Sequence, residues 1–133
     1  MPAPTSFDYA VLRVVPRVDR EEFVNAGVIL FSAEHRFLGA RVHVDEARLK
    51  ALWPALDVDL VRQHLEAVSR ICTGDLSAGP IARLELRERF HWLVSPRSTM
   101  IQVSPVHSGL CETPAEALDR LFHQLTRTTN DHE

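Results

Sequence analysis

The sequence has almost no lysine: of its 15 basic residues only Lys50 is one, and the rest are arginines. Acidic residues number 18, for a formal net charge of −3. That balance argues against a general nucleic-acid coat, whose footprint is basic, although it leaves room for a local basic groove. Arginine brings planar, bidentate donors wherever it meets a carboxylate or a phosphate. Cysteine is scarce too. Cys72 and Cys111 stand alone without C-x-x-C spacing, which indicates neither a zinc site nor a disulfide scaffold. Reduced thiols and a cytoplasmic location are expected. No apolar run approaches the ~18 residues of a membrane span, and no apolar leader follows Met1, so no membrane association is expected. Aromatic residues are only 7%, with no RNP-like strand, which disfavours stacking on single-stranded nucleic acid. There is no P-loop, no G-x-S-x-G elbow, and no H-x-x-x-H or H-x-H pair. No cofactor or metal site is indicated. The catalytic residues are unknown, and whether the protein is an enzyme is open.

What is present describes one globular domain. With 133 residues, 45% hydrophobic and 25% charged, the chain is long enough for a single core without staples. Residues 1–6 read as a polar, Pro-containing lead-in, 7–127 as the domain, and 128–133 as a loose tail. Phe7 to Val15 reads as a strand. Phe7, Tyr9, Val11 and Arg13 share one face; Asp8, Ala10, Leu12 and Val14 share the other. Both faces are largely apolar, which predicts an interior position. Val18 to Asn25 connects, with a helical turn near Asp19–Glu22. Ala26 to Ser32 is a second strand, 33–36 a hairpin loop, and Phe37 to Val44 an alternating third strand with Leu38, Ala40, Val42 and Val44 inward.

Asp45 caps a short helix stopped at Pro54, and Asp57 or Asp59 caps a longer one to about Cys72, closed by Gly74. Leu84 to Val94 fits a helix throughout, and its Phe90–Val94 part fits a strand equally well. Thr99 to Val106 reads as a strand. Thr113-Pro-Ala-Glu116 combines a Thr cap, Pro at the first helical position and Glu at the third, opening a final helix to about Thr126. The order predicts an α+β domain with a small antiparallel or mixed sheet and helices mainly on one face.

Two stretches lodge charge among apolar residues. The first is Tyr9-x-x-x-Arg13-x-x-Pro16-x-x-x-Arg20-Glu21-Glu22-x-x-Asn25-x-Gly27-Val28-Ile29-Leu30, followed by Phe37-Leu-Gly-Ala-Arg41. The second runs from Arg89-Phe-His-Trp92 through Pro96-Arg97-Ser98 to Ser104-Pro-Val-His107-Ser-Gly109-Leu. These motifs resemble DUF3037, a bacterial family of unknown function, over roughly Asp8 to Leu125. The resemblance implies no activity. It does imply a partner, since genes of that family often lie beside one for a HipA-like protein kinase.

Each candidate residue has a structural and a functional reading. Arg13 sits mid-strand on an apolar face, and an unpaired buried guanidinium costs several kcal/mol, about 3–5 where a pair is broken. It needs either a clasp with Glu21 or Glu22, the nearest acids, or an anionic ligand. Asn25-Ala-Gly27 is turn or bulge chemistry, or an amide contact to a ligand. Arg97-Ser98-Thr99 is a polar loop, or a phosphate site built of one arginine, hydroxyls and free N–H groups. His91 and His107 are satisfied core residues, or proton handlers. Arg41, Arg97 and His107 would converge with Arg13 if the strands carrying them are neighbours.

Three functions compete. The first is a non-catalytic protein-interaction or regulatory module, using the Arg41/His43 face and the Arg97–His107 segment. The second is an enzyme or sensor that holds a phosphorylated or nucleotide-like ligand on an Arg/His cluster. The third, least favoured by the net charge, is a nucleic-acid-binding protein.

Overall fold

The first strand alternates between two apolar faces, and the fold covers both. The computed structural model describes residues 3–97 and 99–126; Ser98 and the expected tail 128–133 lie outside the described residues. Strand β1 spans Thr5–Val14 and begins two residues before the expected Phe7. It pairs antiparallel with β2 (Val24–Ser32), and β2 with β3 (Phe37–Val42). On its other side β1 takes two short strands end to end: β4 (Ile101–Val103) against residues 12–14, and β5 (His107–Cys111) against residues 5–9. The result is a five-stranded antiparallel sheet in the order β3-β2-β1-β4, with β5 continuing the edge that β4 starts.

Three helices pack on one face: α1 (Glu46–Leu52), α2 (Val58–Thr73) and α3 (Leu86–Leu93). The core there joins Leu12, Val14, Ile29 and Phe31 to Leu49, Val61, Leu65 and Phe90. The opposite face carries α4 (Pro114–Thr126) alone, whose Ala117, Leu118 and Phe122 pack on Phe7, Val28 and Leu30. The α+β class, with helices mainly on one face, follows. Local chemistry explains the ends. The Asp45 and Asp57 carboxylates accept from Arg48 N–H and Leu60 N–H at the starts of α1 and α2, and Gly74 closes α2 in the left-handed region at φ 77°. Leu86–Leu93 is helical, which settles the ambiguous segment.

Two irregularities shape the sheet. Between Leu12 and Arg13 the register to β2 slips by one residue, so Leu12 faces Gly27 while Arg13 faces Asn25. This bulge is the local reason for Asn25-Ala-Gly27. Gly27 is required by proximity: a Cβ there would stand 2.4 Å from the Arg41 carbonyl oxygen of β3. The second irregularity is at Pro105, where the edge breaks between β4 and β5. Buried Ser104 bridges the gap: its N–H donates to Val11 O at 2.9 Å, and its Oγ accepts from Val11 N–H at 2.8 Å.

Burial also tunes a thiol. Cys72, in the last turn of α2, is pushed up from its ordinary 9.0 to about 12 by burial, against the opposing pull of the Arg89 guanidinium. The unfolded thiol ionises near 9.0 and the folded one does not, so above that pH the unfolded state binds fewer protons. The contribution to stability is intact below about pH 9 and is lost progressively as pH rises towards about 12. The urea midpoint should therefore fall across that window, and Cys72→Ala should flatten the decline. An equally steep decline in the variant would count against this origin.

Candidate functional site

The site lies where β1 ends and β2 begins. Pro16 stops the strand, a 3-10 turn at Val18–Arg20 follows, and Glu21 turns the chain through the left-handed region at φ 59°. This excursion opens a cleft of about 340 Å³. Arg13, Glu21, Arg97 and Gln102 give it polar groups, and Val15, Val18 and Phe23 give it apolar walls. Arg13 and Gln102 are direct partners across β1 and β4, so both side chains point to the same face.

The expected clasp of Arg13 with Glu21 or Glu22 does not form. Glu22 pairs with Arg20 instead, and Glu21 lines the cleft without reaching Arg13. Among the described residues no carboxylate stands within ion-pair distance of either Arg13 or Arg97. The Arg13 guanidinium lies 4.3 Å from the centroid of the Phe23 ring, and its Nε is buried without a hydrogen-bond partner. Arg97 is held differently. It donates to Trp92 O at 2.7 Å and Leu93 O at 3.2 Å, closing the end of α3, and stacks 4.3 Å from the centroid of the Trp92 ring. Asn25, across from Arg13, tethers α4: its Nδ2 donates to Leu125 O at 3.0 Å, while its Oδ1 is buried without a partner.

The remaining candidates do not join this cluster. Arg41 is neutralised by Asp119 of α4, and its guanidinium lies 4.6 Å from the centroid of the Phe122 ring. The α4 helix therefore covers part of the strand face that the sequence places outward. His91 is exposed on α3, its ring 6.3 Å from that of Phe90. His107 lies opposite Tyr9 on β5, with ring centroids 5.4 Å apart. Because β3 and β5 occupy opposite edges of the sheet, Arg41 and His107 cannot converge with each other. Ser98 lies outside the described residues.

Sequence reasoning passed over Phe23, Val18 and Gln102. Phe23 and Val18 are 44% and 46% exposed, unusual for apolar residues in a segment that otherwise reads as polar connection. That mismatch was the available signal; Gln102 had none, since its place beside Arg13 depends on register. Among the described residues no three His, Cys, Asp or Glu side chains gather as a metal ion would require, and no helix is long and apolar enough to cross a membrane.

Neither a curated protein nor a solved structure shows significant similarity to the chain. A family model does match, that for a protein of unknown function (DUF3037), over residues 9–126. The match takes in β1 from Tyr9 onwards, the whole Arg13–Arg97 cleft and all of α4, so the chain belongs to the DUF3037 family.

Proposed function

We propose that the protein is a non-catalytic interaction module that captures a partner protein through the Arg13–Arg97 cleft. One observation carries the reading: two guanidinium groups line a single cleft with, among the described residues, no carboxylate in ion-pair distance, beside exposed Phe23, Val18 and Trp92. A partly buried cation without a counter-ion is costly unless something anionic arrives. Arginine and exposed aromatics are also the side chains that dominate protein-protein hot spots. The surface differs from the one expected, because Arg41 is occupied by Asp119. The family's association with a HipA-like kinase makes that kinase the first partner to try.

The discriminating variant is Arg13→Met. Arg97 caps α3, so its replacement would mix fold and function; Arg13 makes no hydrogen bond to protein through Nε. Arg13→Met is expected to leave the melting temperature unchanged or raised, while partner capture in a native pull-down falls at least tenfold, about 1.4 kcal/mol. Undiminished capture would remove Arg13 from the interface. A bare protein in the wild-type pull-down would favour the second reading, a small phosphorylated ligand, for which ~340 Å³ falls within the usual size range of binding sites.

A further inference from the structure

Resting on that reading, we infer that the partner is held as an added β-strand on the outer edge of β4, with an acidic side chain and its immediate neighbour, a large apolar one, gripping the two faces of the sheet. A second depression, of about 300 Å³, lies beside the first, between α2, α3 and β4. It is apolar: Val68, Ile71, Trp92, Met100 and Ile101 form much of its wall. Arg97 lines both depressions. The two open on opposite faces of β4, because Gln102 points with Arg13 into the polar cleft while Ile101, opposite Val14, points into the apolar groove.

The backbone of β4 joins them. Val15 N–H donates to Met100 O, and Ser104 N–H donates to Val11 O. Alternation along an antiparallel pair therefore turns the backbone groups of Met100, Gln102 and Ser104 towards β1, and those of Ile101 and Val103 outward. Among the described residues β4 has no further strand beyond it; Ile101 O accepts from Thr99 Oγ1 at 2.8 Å and keeps a second lone pair for an added strand. An extended segment laid on this edge alternates its side chains between faces, one residue to each. A carboxylate directed to Arg13 and Arg97 thus puts the next side chain into the apolar groove. Charge complementarity selects the acid, since the cleft holds two arginines against the single carboxylate of Glu21.

The test is selection from a phage-displayed library of random heptapeptides against the full-length protein. Expected is enrichment of Asp or Glu directly adjacent to Leu, Ile, Met, Phe or Trp. Binding of a selected synthetic peptide should weaken at least tenfold with Arg13→Met. It should weaken similarly with Ala67→Arg, since Ala67 of α2 also lines the groove and a long side chain there fills it, and with N-methylation of the peptide bond facing the edge. Acid and apolar residues two positions apart, or tolerance of N-methylation, would overturn strand addition, as would the absence of any enriched peptide. If native capture still depends on Arg13 while the selection fails, the module reading stands and this one falls. If capture is indifferent to Arg13 as well, both fall.

Discussion

Phe90→Ala is expected to destabilise the protein by about 3–5 kcal/mol, the largest effect of any single truncation considered. Phe90 is 2% exposed and stacks on Phe31 of β2 with ring centroids 5.4 Å apart. It is how α3 reaches the sheet, within a core that also includes Leu65 and Ile71 of α2. Truncation removes the transfer free energy of a whole ring and leaves a cavity that three rigid elements cannot close. Urea denaturation followed by tryptophan fluorescence measures it, and Trp92, two residues on, reports α3 directly. A loss below about 1 kcal/mol would mean that α3 is not packed as described.

Arg89→Ala is the second large effect, expected to cost about 3 kcal/mol from the loss of charge-assisted bonds and the carbonyls left behind. The Arg89 guanidinium donates to Leu84 O, Ile71 O and Cys72 O, at 2.9, 2.9 and 3.0 Å. Two of those carbonyls belong to the last turn of α2, where helix geometry leaves acceptors unsatisfied. Arg89→Lys is expected to recover only part of the loss, because one ammonium cannot reproduce the guanidinium fork. Full rescue by lysine would show that charge alone suffices. Arg89 and Arg13 make an instructive contrast. The first has its Nε and Nη1 matched by protein carbonyls, which ties it to stability, whereas the second keeps an unmatched Nε, which the proposed function assigns to binding.

The readability of the fold in the sequence followed the range of the forces involved. Local chemistry was legible: the alternation of Phe7 to Val15, the Asp45 and Asp57 caps, the Gly74 stop, and the Thr113-Pro opening of α4 all act within a few residues. Pairing was less so. His107–Cys111 carries Ser, Gly and an exposed Leu110 instead of an alternating apolar pattern, and it is a strand because β1 offers it an edge. The site divides in the same way. Arg13, Glu21 and Arg97 were visible as charge among apolar residues, and the fold assembles them. Arg41 was visible for the same reason, but its partner Asp119 stands 78 residues away. A charged side chain on an apolar face announces that it needs a partner; it does not say whether that partner is in the chain.

Of the five strands described, the one synthesised first is the last to be completed. Strand β1 lies inside the sheet, yet one whole side of it is closed by residues 101–111, with Val11 meeting Ser104 across 93 residues and Thr5 meeting Cys111 across 106. On a ribosome the β1–β2–β3 meander can form early, but its inner edge stays open until nearly the entire domain has emerged. Closing such long loops before any contact repays the entropy places the chain among slow, non-locally connected folders. An unpaired interior strand is also a template for pairing with other chains. The same connectivity that gives β1 its protected place in the finished protein makes the nascent chain dependent on completing its synthesis.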